Sequence, residues 1–312
     1  MVASVFVLLS DIFHPYPNIP PSLVGQEVAH VEGVAFTIQV QGTTVYMGMG
    51  ARVWVLQGED VSHLQKVGES PRFSGDVLDF EVKGRYLFVA ARDAGIRVLD
   101  VADPAHPREV GGIYPDAWVE GIYLAGDRLY AASTWGGLFI FDVSRVPRMS
   151  LIGRLDTPGY ARDVAVSEPV ALVADWHGGT RVVDVSDPGH PREVAALTGE
   201  TRPQSVAIQG HMAYVADGWG LQVIDVSDPA IPRVLKRLML PGWTVHVVLQ
   251  GARAYVSARD AGVFVVDISD PARAHVVGRY AVDAPAVHVV SVPPYLYVAE
   301  EMDGLLILRE RE

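Results

Sequence analysis

The chain has 312 residues, 49% of them hydrophobic, so it is long and apolar enough to bury a large core. It contains no cysteine, which excludes disulfides, thiolate metal sites and a cysteine nucleophile. A formal net charge of −12 disfavours nucleic acid and anionic membrane partners, because an acidic surface repels both.

Residues 1–22 precede a series of repeats and are expected to form an N-terminal arm or linker. The apolar run Val2–Leu9 is too short to span a membrane, and no basic residue precedes it as in a signal peptide. The prolines that follow favour an extended segment. We predict an arm packed on the domain formed by residues 23–312, with the remnant of a targeting segment as the alternative, and no membrane span.

From residue 23 onward the sequence repeats with a period of about 42 residues, the length of one supersecondary unit copied several times. The copies align on seven positions within equivalent apolar runs. These positions are Tyr46, Phe88, Tyr130, Val173, Tyr214, Tyr255 and Tyr297.

A complete copy contains four short apolar runs separated by Gly, Asp or Pro, and each run is too short for a helix. In the fifth copy the runs are Val206–Ile208, Met212–Ala216, Leu221–Val226 and Val234–Leu238. Four antiparallel strands in about 40–45 residues are typical of one propeller blade. The sequence therefore predicts an all-β fold, a seven-bladed β-propeller of four-stranded antiparallel blades.

The two ends of the chain predict how the ring closes. The seventh copy stops at its third strand, Leu305–Leu308, while Leu23–Val28 resembles fourth-strand phrases such as Leu151–Leu155. We expect the N-terminal segment to supply the missing fourth strand. Closure would cover the strand edges that otherwise invite aggregation.

An aspartate recurs at the end of the third run in five copies: Asp100, Asp142, Asp184, Asp225 and Asp267. A turn follows each aspartate, in most copies Ser-Asp-Pro, where a carboxylate can accept backbone hydrogen bonds. Five equivalent acids cannot all be catalytic. We interpret them as structural residues of the turns.

Two phrases, Thr180–Pro188 and Leu221–Pro229, resemble the LVIVD repeat family of bacterial and archaeal β-propellers. The resemblance covers about residues 23–312 and is weakest in the first copy (Trp54–Gln57) and the last (Leu306–Arg309). It implies a propeller, often on surface or secreted proteins, with no defined reaction. An extracytoplasmic location is therefore favoured by the resemblance alone.

The first strand of each blade lines the central channel of a propeller, so polar residues where these strands begin are candidate ligand contacts. Aligning the copies gives Glu32, Asp76, Glu120, Arg162, Asp163, His246 and His288. His246, His288, Asp76 and Asp163 could bind a divalent cation or divide acid and base roles. The alternative is that these residues are solvated or hydrogen-bonded to neighbouring loops, and no other cofactor is expected.

Five of the six tryptophans map to the same face, in loops that enter a first strand or join second and third strands: Trp118, Trp135, Trp176, Trp219 and Trp243. A tryptophan in a loop can hold a sugar ring or an apolar peptide side chain. It can equally fill the gap between two blades.

We therefore favour a non-enzymatic binding or scaffold protein that recognises a protein, peptide or glycan through this Trp-rich face. The alternative is a hydrolase or lyase that uses the channel carboxylates and histidines, since Glu120, Arg162, His246 and His288 resemble the channel residues of seven-bladed lactonases. The sequence predicts neither the ligand nor the oligomeric state.

Overall fold

The computed structural model describes residues 23 and 25–310, and they form seven four-stranded antiparallel sheets, one for each blade of a β-propeller. The described residues contain no α-helix, and three short 3-10 helices lie at Val61–His63, Trp176–Gly178 and Pro271–Arg273. The predicted fold class and blade number are confirmed. Residues 1–22, predicted to form an arm or linker, lie outside the described residues.

Blades 1 to 6 each take four consecutive strands, whose order across the sheet follows their order along the chain. Blades 1 to 3 comprise β2 (Ala35–Gln41), β3 (Thr44–Met49), β4 (Arg52–Gln57), β5 (Gln65–Glu69), β6 (Asp79–Lys83), β7 (Tyr86–Ala90), β8 (Ile96–Asp100), β9 (Arg108–Ile113), β10 (Val119–Ala125), β11 (Arg128–Ser133), β12 (Gly137–Asp142) and β13 (Ser150–Leu155). Blades 4 to 6 comprise β14 (Asp163–Ser167), β15 (Val170–Ala174), β16 (Thr180–Asp184), β17 (Arg192–Leu197), β18 (Ser205–Gln209), β19 (Met212–Ala216), β20 (Gly218–Asp225), β21 (Arg233–Thr244), β22 (His246–Gln250), β23 (Arg253–Ser257), β24 (Val263–Asp267) and β25 (His275–Tyr280).

Blade 7 is built from both ends of the chain. It contains β26 (Ala286–Val292), β27 (Tyr295–Glu300) and β28 (Gly304–Arg309), and its fourth strand is β1 (Gln26–Val31), antiparallel to β28. The predicted closure is confirmed, although the strand begins later than the expected segment 23–28. Leu23 instead lies on blade 6, where its N–H donates to the Arg279 carbonyl at 2.8 Å.

The core lies between neighbouring blades rather than inside any one of them. Second and third strands are buried on both faces, as in β11 and β12 of blade 3, which explains why their apolar residues are consecutive and do not alternate. Fourth strands such as β9 form the exposed outer edge of the ring. The seven alignment positions of the repeat all lie in second strands and are buried.

The recurring aspartates are turn residues, as the sequence predicts. In each case Oδ1 accepts the backbone N–H two residues later, at 2.8 to 3.0 Å. For Asp142 and Asp184, hydrogen bonds from the following serine hold the carboxyl pKa below its usual value. These turns lie on the face opposite the loops that carry the tryptophans.

Candidate functional site

The pairing of first and second strands defines the equivalent positions around the channel. They are Thr37, Asp79, Gly121, Asp163, Ser205, His246 and His288, each opposite a small residue of the second strand. Asp163, His246 and His288 lie at these positions, as the sequence alignment predicts. The alignment is displaced in blades 1 and 2, where Thr37 and Asp79 occupy the positions that it assigned near Glu32 and at Asp76.

Four of these channel side chains link one blade to the next. Asp79 Oδ2 accepts the Ile122 N–H at 2.8 Å, and Asp163 Oδ2 accepts the Val206 N–H at 2.9 Å. The same contact is made at 3.3 Å by Ser205 Oγ to Val247 N and by His246 Nδ1 to Val289 N. The polar residues that begin the first strands therefore satisfy backbone groups of the neighbouring blade.

Burial sets the charge of the groups in this layer. It raises the pKa of Asp163 and raises that of Asp79 well above its usual value, with the charge of Asp163 contributing to the rise at Asp79. It lowers the pKa of His246 to about 4 and that of His288 well below its usual range. The two imidazoles stack with ring centroids 3.8 Å apart and are neutral at physiological pH.

The four predicted metal ligands do not converge on one point in the described part of the chain. His246, His288, Asp76 and Asp163 form no group whose ligand atoms lie within 4.8 Å of one another. Among the described residues, one cluster does meet that distance, and it consists of His30, Glu300 and Asp303 in blade 7. No repeated pattern in the sequence indicates this cluster, because its residues come from both ends of the chain.

Residues of this layer and the charged side chains around them line a cavity of about 300 Å³, which we call the channel mouth. Its charged side chains form three ion pairs: Arg92 with Asp76 at 3.6 Å, Arg162 with Glu120 at 3.3 Å, and Arg259 with Glu301. Predicted residues Asp76, Glu120, Arg162, Asp163, His246 and His288 all line the cavity, whereas Glu32 is exposed outside it.

Arg92 and Arg259 are functional candidates that the sequence analysis missed. Both have left-handed backbone conformations, with φ of 45° and 49°, which are uncommon for residues other than glycine. Backbone bridges to Val119 and Ala286 of the next blade hold them there. The pentapeptide Ala-Arg-Asp-Ala-Gly, which starts at Ala91 and again at Ala258, is the sequence signal for these two positions.

Aromatic side chains surround one side of the channel mouth. Trp118 and Trp135 pack against each other with ring centroids 5.2 Å apart and are 37% and 54% exposed. Trp219 and Trp243 make an edge-to-face pair at 5.3 Å, and Trp219 is 49% exposed. None of these four rings is buried between blades.

A third aromatic cluster lies between these two pairs along the chain. Trp176 stacks on His177 at 5.0 Å and meets the edge of Tyr160 at 6.1 Å. Tyr160 is exposed and was not predicted, because one tyrosine in a loop gives no repeat signal. We call Trp118, Trp135, Tyr160, Trp176, Trp219 and Trp243 the aromatic rim.

Two arginines join the aromatic rim to the channel mouth. The Arg92 guanidinium lies 5.2 Å from the ring centroid of Trp118, and the Arg162 guanidinium lies 5.0 Å from that of Trp176. Both arginines also line the cavity. Cation–π contacts of this kind place Trp118 and Trp176 beside the charged groups of the mouth.

A pH prediction follows from Glu81 on β6, which accepts the Leu124 N–H at 3.1 Å. Burial, with a contribution from the charge of Asp163, raises the Glu81 pKa from 4.5 to about 7. The folded protein therefore binds this proton more tightly than the unfolded chain, and the resulting stability is lost as pH rises from about 4.5 through 7. Glu81→Gln keeps an acceptor oxygen but cannot ionise.

We expect Glu81→Gln to melt at a higher temperature than the wild type at pH 8, with the difference shrinking toward pH 4. Thermal unfolding of both proteins across this pH range is the measurement. A difference independent of pH would contradict the raised pKa.

The fold and the channel geometry define the class of protein as a seven-bladed β-propeller. The family model described as LVIVD repeat matches five segments, residues 74–114, 118–157, 158–198, 202–239 and 241–282. Together these segments cover more than half of the sequence, and the chain belongs to the LVIVD repeat family. A comparison with curated proteins found no match.

Solved structures similar to this chain share its fold at low sequence identity. The β-propeller domain of Cps50 (Swd1) from Myceliophteria thermophila is 12% identical, with a TM-score of 0.75 over 93% of this chain and 100% of that one. The Pan2 WD40 domain from Neurospora crassa is 11% identical, with a TM-score of 0.70 over 94% and 98%. The computationally designed Ika8 protein is 11% identical, with a TM-score of 0.65 over 91% and 100%.

These likenesses support the fold alone. The described residues include no helix with the length and apolar character needed to cross a bilayer.

Proposed function

We propose that this propeller is a non-enzymatic binding module that recognises a peptide or protein segment through the aromatic rim and the channel mouth. The observation that carries the proposal is the exposure of Trp118, Trp135 and Trp219 beside a charged cavity. Clusters of exposed aromatic rings are uncommon on the surface of a monomer and are enriched where partners bind. In this arrangement apolar side chains of the ligand contact the rim, and polar groups enter the mouth.

The contacts of the channel residues favour binding over catalysis. Backbone N–H groups of the next blade donate hydrogen bonds to Asp79, Asp163 and His246. The side chains suited to acid–base chemistry therefore already have a structural role. The arginines of the mouth are held in ion pairs with nearby acids. Such pairs can exchange partners with the charged groups of a peptide.

The geometry of the aromatic pairs favours a peptide over a glycan. The rings of Trp118 and Trp135 are tilted by 53°, and those of Trp219 and Trp243 by 74°. Tilted pairs create clefts between an edge and a face, which suit a side chain, whereas a sugar ring stacks on an open planar surface. The mixture of positive and negative groups in the mouth likewise suits a peptide, which carries both donors and acceptors.

The experiment is a parallel selection on a displayed peptide library and a glycan array. It compares the wild type with the double variant Trp135→Ala/Trp219→Ala. The matched control is Trp54→Ala, since Trp54 lies on β4 outside the rim, beneath Lys66. We expect peptides that bind the wild type and the control but not the double variant. Enrichment of glycans alone, or peptide binding unchanged in the double variant, would contradict the proposal.

The loss of binding affinity caused by one substitution in the aromatic rim can be predicted. Trp135→Ala should weaken a selected peptide by about 1–3 kcal/mol, or about 5- to 150-fold in Kd, because Trp135 is among the most exposed rings. Its melting temperature should change little, since an exposed ring contributes little to the core. Calorimetric titration and thermal unfolding of the same preparation measure both quantities. A loss of stability without a loss of affinity would assign Trp135 to packing.

A further inference from the structure

Blade 7 holds a polar cluster that lies outside the channel mouth and is not used by the proposed function. His30 lies on β1, Glu300 ends β27, and Asp303 lies in the turn between β27 and β28. Their ligand atoms all lie within 4.8 Å of one another. The three residues therefore join the N-terminal closing strand to the last hairpin of the chain.

Glu300 gives this cluster a feature that surface acids do not have. The residue is only 2% exposed, and in the described part of the chain its Oε1 atom has no hydrogen-bond partner. Leaving a buried carboxylate oxygen without a partner costs free energy, so such an atom calls for an explanation. A cation bound between Glu300 and its neighbours would satisfy it.

The distances in the cluster suit a metal ion. His30 Nε2 lies 3.4 Å from Asp303 Oδ2 and 2.8 Å from the Asp303 carbonyl oxygen. Ligands at about 2.0–2.1 Å from a tetrahedral zinc ion lie roughly 3.3 Å from each other. The Nε2 to Oδ2 distance matches this edge. Zinc would replace the present hydrogen bond from Nε2 to the Asp303 carbonyl, because Nε2 coordinates a metal only after its proton has moved to Nδ1.

The charges around Glu300 also favour a cation. Glu300 is buried, and the negative charges of Asp303 and Asp283 act on its carboxyl group. Among the described residues, His30 is the basic group whose charge acts on it with the opposite sign. A divalent ion would compensate the buried carboxylate and its acidic neighbours together.

We propose that His30, Glu300 and Asp303 bind one divalent transition-metal ion, of which zinc fits the donor set best, and that this ion fastens β1 to blade 7. One imidazole and two carboxylates are ligands that zinc accepts in a site of four donors. Calcium is a poorer fit because it takes six to eight oxygen ligands. The ion would stabilise the closed ring, because the ligands come from both ends of the chain.

Zinc alone is the probe, added to untagged full-length protein after treatment with a chelator. Calorimetry should give one bound zinc per chain. At a free zinc concentration about 100-fold above Kd, the melting temperature should rise by roughly 3–6 °C. Calcium and magnesium at the same concentration should leave it unchanged.

The variants His30→Ala, Glu300→Gln and Asp303→Asn should each lose at least tenfold in zinc affinity. The shift in melting temperature is measured within each variant, with and without zinc, so a variant that is less stable for other reasons remains informative. The matched control is His106→Ala, which removes an exposed histidine paired with Asp103 at 2.9 Å but without a third ligand. It should bind zinc as the wild type does.

Two results would overturn the proposal. One is a wild type whose melting temperature and calorimetric trace do not respond to zinc, which would leave His30 and Asp303 as a simple hydrogen-bonded pair. The other is zinc binding that survives all three substitutions or disappears in His106→Ala, which would place the metal elsewhere. Neither result bears on peptide binding at the aromatic rim.

Discussion

Removal of residues 1–31 is expected to destabilise the folded ring by on the order of 5 kcal/mol or more, a large part of the stability of a typical domain. The deletion removes β1, which pairs with β28 over five residue pairs from Gln26 to Val31. It also removes Ala29 and Val31, which pack against the core between blades 7 and 1. The edge of β28 would then be open and would invite aggregation.

Thermal unfolding and size-exclusion chromatography of this deletion are compared with a deletion of residues 1–22, which leaves β1 in place. The difference between the two truncations reports the contribution of the closing strand. A peptide spanning residues 23–33, added in trans, should restore part of the lost stability by pairing with β28. Equal melting temperatures for the two truncations would contradict closure by β1.

The second large effect is expected at Asp163, whose carboxylate accepts two backbone N–H groups, from Val164 and from Val206 of the next blade. Asp163→Ala leaves both donors unsatisfied near the channel axis and should cost about 2–4 kcal/mol of the free energy of unfolding. Asp163→Asn retains an acceptor oxygen and should cost less. Denaturant unfolding of the two variants measures the difference.

Asp76→Ala is the matched control, because Asp76 lines the same cavity but is half-exposed and only ion-paired with Arg92. An exposed ion pair contributes little, so this change should cost less than about 1 kcal/mol. If Asp163→Ala were as stable as Asp76→Ala, the structural role of the first-strand acids would be wrong. The carboxylate would then be free for chemistry, as the hydrolase alternative requires.

The blade architecture could be predicted because it depends on features that each copy repeats. Residues such as Tyr130 and Tyr214 recur at a fixed spacing and are buried in second strands, so hydrophobic pattern alone located them. The register of the first strands around the channel was harder to predict. In blade 2 the aspartates Asp76 and Asp79 are both plausible starts of a first strand, and only the pairing of Asp79 with Ala90 distinguishes them.

The residues of the candidate site could be predicted where the repeat fixes their position along the chain. They could not be predicted where they depend on contacts between residues that are distant in sequence. Trp135 precedes β12 and Trp219 lies at the start of β20, which are equivalent places in the repeat, so their common face followed from the repeat. The cation–π contact of Arg92 with Trp118 depends on the left-handed backbone of Arg92, which no propensity for arginine indicates. The sequence placed His246 and His288 at equivalent channel positions. Only the structure shows that their rings stack on each other.

Hydrogen exchange of the backbone amides, measured with and without a selected peptide, tests most directly whether this protein binds its ligand through the aromatic rim and channel mouth. We expect protection in the segments of that face, residues 114–120, 133–137, 156–162, 174–180 and 217–221. Protection confined to the opposite face, where the turns of residues 100–107, 184–191 and 225–232 lie, would contradict it.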